Sequence, residues 1–187
     1  MKKLPVRDRL INTASELFYQ KGYNRTGINE ILEKAGVAKA SMYQHFRSKE
    51  EMCVEYLRHM DQQLMKDLST KVESVPEGPD RVMAVIDFVH EFFFQKNFRG
   101  CWSLNTIAEM PHDDLLVNTE IQNQKKRFKA WLQKLVADNL KANRPEEVAN
   151  HLYLLYEVAL MESHLFRAEW PILTAKGMFE KIIKENS

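Results

Sequence analysis

Thr26-Gly27-Ile28-Asn29-Glu30-Ile31-Leu32-Glu33-Lys34-Ala35-Gly36-Val37-Ala38-Lys39-Ala40-Ser41-Met42-Tyr43-Gln44-His45-Phe46-Arg47-Ser48-Lys49-Glu50-Glu51 carries two short helical patterns on either side of a glycine. Ile28, Ile31, Leu32 and Ala35 share one face of a short helix, and Thr26 is the candidate cap at its start. Gly36 breaks that helix, Val37 follows, and a second short helix is expected from about Ala38 to Phe46. Two short helices joined at a glycine form a helix-turn-helix. The second helix must be polar outside and braced inside to enter a major groove with its N-terminal end. Lys39 and Ser41 can bond base edges or phosphates, and the small Ala40 allows close approach. Ile31, Ala35, Val37, Met42 and Phe46 supply the brace. The pattern alone suits an ordinary helical hairpin equally well.

Outward from this stretch the helical period continues. Upstream, Val6, Leu10, Ile11, Ala14, Leu17 and Phe18 form one stripe, ended by Gly22 as a left-handed cap. Downstream, Ser48 and Glu51 have capping-box spacing, and a long helix carries Met52, Cys53, Tyr56, Leu57, Met60, Leu64 and Leu68. Val75-Pro76-Glu77-Gly78-Pro79 is a loop. Further helices are expected at 80–95, 101–109, 114–140, 145–167 and 171–184. No run of period-two alternation suggests a strand. The expected fold is all-α with about nine helices: a three-helix head joined by a long helix to a helical body. Residues 4–64 form the head, with the helix-turn-helix at about 27–46, and residues 75–187 form the body.

The 187 residues are 44% hydrophobic and 28% charged, which suits a folded chain rather than a disordered one. No apolar run reaches the roughly 20 residues a membrane helix needs. Met1-Lys2-Lys3-Leu4-Pro5 leads straight into a charged helical pattern, so no secretory leader is expected, and the two separated cysteines suit a reducing cytoplasm. The net charge of +1 conceals a split. Residues 1–49 hold ten Lys/Arg against four Asp/Glu, a net of +6; the remainder, seventeen against twenty-two, is −5. A basic end on an acidic body presents that end to a polyanion.

The quoted stretch resembles the signature of the TetR family of transcriptional regulators nearly end to end. Ala14–Phe18 and Lys21-Gly22-Tyr23 resemble the family's first helix and glycine turn, so the likeness covers about residues 4–64. It implies a homodimeric DNA-binding regulator, probing double-stranded operator DNA and released by a small-molecule effector. By that resemblance Tyr43, His45 and Lys49 contact phosphates, Arg25 and Thr26 contact DNA from the start of the second helix, and Lys39, Ala40 and Ser41 lie nearest the bases. Tyr43 can also be read as a packing residue. Ala38 departs from the pattern: the family usually has a Ser there as cap, and its loss costs about 1 kcal/mol.

The body is rich in aromatic residues, most of which fill a core. By the resemblance some line an effector pocket. Phe92, Cys101, Trp102, Phe128, Trp131 and Tyr156 are the candidates, and aromatic walls suit an apolar or aromatic ligand. Gly100-Cys101-Trp102-Ser103-Leu104-Asn105-Thr106-Ile107-Ala108-Glu109 resembles an element of one TetR subgroup, some members of which sense electrophiles. Cys101 is read as an inert or pocket-lining residue in preference to a thiol sensor, because Trp102 and Leu104 lead into an apolar body. Leu152, Leu155, Ala159, Phe179 and Ile182 on the last two helices are the candidate dimer interface, or else cover the monomer core.

No cofactor or metal site is expected. His112-Asp113-Asp114 lacks a ligand-spaced partner. No phosphate loop, GxSxG, HExxH or dinucleotide fingerprint is present, so an enzyme is not expected. The head is equally compatible with repression and activation.

Overall fold

The computed structural model describes residues 4–111 and 113–187; Lys2 and Lys3 of the basic end, and His112, lie outside them. Among the described residues there are nine helices and no strand: α1 Val6–Lys21, α2 Ile28–Ala35, α3 Lys39–Tyr43, α4 Lys49–Glu73, α5 Pro79–Phe93, α6 Trp102–Glu109, α7 Leu115–Asn139, α8 Pro145–Phe166 and α9 Trp170–Glu185. None of these helices is long and apolar enough to cross a membrane.

The chain forms two compact units. One holds residues up to Gln63 together with Trp102–Gln124; the other holds Leu64–Cys101 and Lys125–Ser187. The sequence places α6 and the start of α7 with the body, whereas by contacts they belong with the head. Helices α4 and α7 each supply residues to both units.

The first unit is built on the α1 stripe. Leu10, Ala14, Leu17 and Phe18 are buried with Ile31 and Leu32 of α2, Met42 and Phe46 around α3, and Met52, Tyr56 and Leu57 of α4. The Phe18 ring lies 5.5 Å from that of Tyr56 and 5.3 Å from that of Tyr23. Truncating one such side chain costs about 2–5 kcal/mol. Gly36 takes the left-handed conformation, φ 61° and ψ 45°, and its N–H bonds back to Leu32 and Glu33. The Arg9 guanidinium reaches from α1 to the Ala35 and Gly36 carbonyls at 2.8 and 3.1 Å, a cation on the last turn of α2.

Several local expectations are corrected. Gly22 has φ 94° but ψ 159°, so it ends α1 with positive φ and not in the left-handed helical region. Thr26 does not cap α2; Gly27 holds that position without a side-chain bond. The Thr26 hydroxyl instead donates back to the Gly22 carbonyl at 2.8 Å, and Thr26 is wholly buried. Helix α3 stops at Tyr43, and residues 44–45 form a turn. At the start of α4 the Ser48 hydroxyl accepts the Glu51 N–H at 3.2 Å, as the box spacing predicts. The Glu51 carboxylate, however, accepts from Arg47 N–H at 2.8 Å, one residue before the expected partner.

The second unit packs α5, α8 and α9 against one another. Val82, Val85, Ile86 and Val89 of α5 are buried with Leu152, Ala159 and Leu160 of α8 and Ile172, Phe179 and Ile183 of α9. Lys176 of α9 pairs with Asp87 of α5 at 2.7 Å. The Asn139 side chain accepts the Gly78 N–H at 2.9 Å, tying the loop before α5 to the end of α7.

Candidate nucleic-acid interface

In the first unit α2, the Gly36 turn and α3 make the helix-turn-helix. Met42 is wholly buried and Phe46 nearly so, while Lys39, Ala40, Tyr43 and Gln44 are exposed. The same helix therefore anchors through 42 and offers 39, 40 and 43 outward, with Ser41 half-buried at the margin. Tyr43 is 51% exposed, which removes the packing reading of its ring. Ala38 occupies the cap of α3 in extended geometry, φ −69° and ψ 146°, with no side-chain bond. That is the consequence expected of an alanine where the cap needs an oxygen.

Arg25 and His45 are exposed beside this face. Thr26 is not exposed, and its hydroxyl is committed to the Gly22 and Leu17 carbonyls, so its side chain is turned inward. Lys49 is half-buried at the start of α4. Its ammonium lies 3.9 Å from the centre of the Tyr23 ring, a cation–π seat. Burial holds the Lys49 pKa below the usual range, against the opposing negative charges of Glu50 and Glu109. The Tyr23 hydroxyl donates to Glu50 at 3.1 Å. Burial, and then Glu50, push the Tyr23 phenol well above its ordinary value, so it is a neutral donor. Tyr23 as the seat of Lys49 is not readable from the sequence, because twenty-six positions separate them.

The candidate pocket residues do not form one group. In the second unit Phe128 meets Tyr156 at 4.8 Å, Trp131 at 5.9 Å and Tyr153 at 6.1 Å. Phe92 belongs to another cluster, with Phe98 at 5.4 Å and Phe88 at 6.3 Å. Trp131 also borders a groove of about 320 Å³ whose rim is polar, with Glu73, Glu77, Arg81, Asp138 and Asn139. Trp102 lies in the first unit, buried, with its indole N–H unpaired. Cys101 immediately precedes α6 and is buried. Its sulfur accepts a hydrogen bond from the Lys125 ammonium at 3.1 Å, and Lys125 pairs with Glu157 at 2.6 Å. Burial opposes the charge on Lys125, but the Cys101 sulfur and the Glu157 carboxylate outweigh it and raise the pKa. Tyr156 is held neutral by burial and by Glu157.

Of the candidate dimer residues, Leu152, Ala159 and Phe179 are fully buried within the second unit, and Leu155 and Ile182 are half-buried. The outward apolar face is a different one: Leu154, Val158, Leu165 and Phe166 on α8, then Trp170, Leu173 and Met178 on α9. Among the described residues no group of three or more His, Cys, Asp or Glu is placed to hold a metal ion.

Residues 10–56 match the family described as bacterial regulatory proteins, tetR family. The whole chain is similar to the crystal structure of SCO4454, a TetR-family transcriptional regulator from Streptomyces coelicolor. The TM-score is 0.88 at 26% identity, covering 96% of this chain and 89% of that one. It is 23% identical to the HTH-type transcriptional repressor DhaR of Mycobacterium sp. (strain GP1), over 92% of this chain and 89% of that protein. It is also 34% identical, over 87 residues, to the HTH-type transcriptional activator FasR of Mycolicibacterium smegmatis, which covers 46% of this chain and 39% of that protein. All three are transcriptional regulators.

Proposed function

We propose that this chain, whose residues 10–56 match the family described as bacterial regulatory proteins, tetR family, is a DNA-binding transcriptional repressor, released from a palindromic operator by a small apolar or aromatic effector. The observation that carries the DNA half of the reading is the two-sidedness of α3: Met42 is locked in the core, while Lys39, Ala40 and Tyr43 stand outside. Lys39 and Ser41 read base edges; Tyr43, His45, Lys49 and Arg25 hold phosphates. The regulator acts in the cytoplasm as a homodimer. Its two α3 helices reach, or can be brought to, a spacing of about one helical turn of DNA, ~34–36 Å.

The apolar surface of α8 and α9 supports dimerisation through Leu154, Val158, Leu165 and Leu173, in place of the inward residues that the sequence pattern marks. The aromatic group around Phe128 and Tyr156 supports an aromatic effector. The effector favours the form of the dimer that DNA does not, so the two compete through a coupling of about 1–3 kcal/mol.

The experiment begins with duplexes selected by the protein from a random pool. Their sequence shows whether the site is palindromic, and its position relative to a promoter separates repression from activation. Aromatic compounds that stabilise the protein are then added to the complex. Release of DNA, with a reciprocal loss of ligand affinity in the presence of operator, is expected. A tightly bound compound that leaves operator affinity unchanged would contradict the proposal.

A further inference from the structure

Glu109 is the last residue of α6, and its side chain turns back to the connection between α1 and α2. Its Oε2 accepts the backbone N–H of Asn24 at 2.6 Å. Its own carbonyl accepts from the Asn24 side-chain amide at 3.0 Å. Two bonds, both donated by Asn24 and accepted by Glu109, 85 positions apart, clamp the turn. The same carboxylate fills the space over Gly22: a Cβ there would meet Oε1 at 2.4 Å, and φ of +94° disfavours a side chain besides. The turn's positive φ favours glycine at position 22, and a side chain there would also push the Glu109 carboxylate out of its place. Both partners lie in the compact unit that carries the helix-turn-helix.

The clamped turn has two outlets. Tyr23 is its middle residue, and Lys49 sits on the Tyr23 ring at 3.9 Å. Asn24 leads through Arg25 and the buried Thr26 into α2. Thr26 is itself tied to the Gly22 carbonyl at 2.8 Å. A shift of the turn therefore displaces a phosphate ligand and the first helix of the helix-turn-helix together.

We infer that Glu109 is a positioning residue for DNA binding, acting by holding the Gly22–Asn24 turn in place without touching DNA. The inference rests on the DNA-binding reading of the head. Two properties of Glu109 act in opposite directions. Its negative charge, close enough to influence Lys49, works against an approaching phosphate. Its hydrogen bonds order the surface that the phosphate meets. The second effect dominates.

Three variants separate the two, measured on duplexes that the wild-type protein selects from a random pool. Glu109→Gln keeps an oxygen for the Asn24 N–H and removes the charge; it binds at least as tightly as wild type. Glu109→Asp keeps the charge but lacks the reach, and Glu109→Ala lacks both. Each loses about tenfold in affinity, the scale of one lost hydrogen bond. The dependence of affinity on salt stays the same in all three, because no phosphate contact is removed. Wild-type affinity for Ala and Asp, or a loss in Gln equal to that in Ala, overturns the inference. So does a salt slope that falls with the loss. If Ala fails to fold, the contrast between Gln and Asp decides the question alone. If the wild-type protein selects no DNA at all, the reading of the head fails instead, and the two failures are distinguishable.

Discussion

The ammonium of Lys49 rests 3.9 Å from the centre of the Tyr23 ring, with the Tyr23 hydroxyl bonded to Glu50. Tyr23 is buried and Lys49 half-buried; a cation seated on a ring at such a margin is held by about 0.5–1 kcal/mol, enough to restrict a flexible side chain without neutralising it. Burial lowers the pKa of this lysine, so a phosphate that arrives restores a partner to a cation partly stripped of water.

Lys49→Ala should therefore weaken binding to all duplexes alike and reduce the slope of log affinity against log salt by about 0.9. Ser41→Ala should alter base preference and leave the slope in place. Binding titrations over a range of salt, on selected and unrelated duplexes, check both. A changed preference with an intact slope in Lys49→Ala would reverse the assignment.

Ala38 has the backbone of a helix cap and lacks only the oxygen. Ala38→Ser should supply it, with the hydroxyl accepting the Ser41 N–H. A new cap contributes about 1 kcal/mol, or about 2–4 °C in Tm for a chain of this size. Thermal unfolding at fixed protein concentration measures it. An unchanged or lower Tm would mean that the short α3 does not use its cap.

The helices and the helix-turn-helix were legible because their signals are local: apolar spacing at three and four, Gly36 in the turn, Ser48 before Glu51. What was not legible depends on distance along the chain. Thr26 has the residue type of a cap and of a DNA contact, yet its hydroxyl is turned inward by carbonyls four and nine positions back. Helix α6 looks like part of the body until Glu109 is seen bonded to Asn24. Helix α8 misleads for another reason. It is apolar on more than one face, so the period marks Leu152 and Ala159 as readily as Leu154 and Val158, and only packing decides which set lies inside.

That last distinction is testable. Leu154→Glu alters a side chain that is 59% exposed, and Leu165→Glu one that is 70% exposed. Each should leave the helical content and yield monomers in sedimentation. Phe179→Glu places a charge in the core of the unit and should unfold or precipitate the protein. Folded dimers from both exposed variants would move the interface elsewhere.

The two cysteines should differ in reactivity despite similar burial. Cys53 is wholly buried; that burial, and after it Asp114, raise its pKa far above the ordinary thiol range, Lys49 opposing only in part. Its thiolate is therefore scarce at neutral pH, and the thiolate is the nucleophile. Cys101 is 3% exposed, but its sulfur lies 3.1 Å from the Lys125 ammonium, which favours negative charge on that atom. Lys125 was not legible as a partner of Cys101, since no spacing links positions 101 and 125. Mild alkylation of the folded protein with iodoacetamide, read by peptide mass spectrometry, should label Cys101 before Cys53. Lys125→Met, which keeps the length and removes the charge, should slow the labelling of Cys101 and leave Cys53 unchanged. Burial restricts access to both sulfurs, so the rates are expected to be slow, and the order carries the information. If Cys53 reacts first, or if Lys125→Met leaves the Cys101 rate unchanged, the ammonium does not govern that thiol. Cys101 is then the inert filler that the apolar residues beside it suggest.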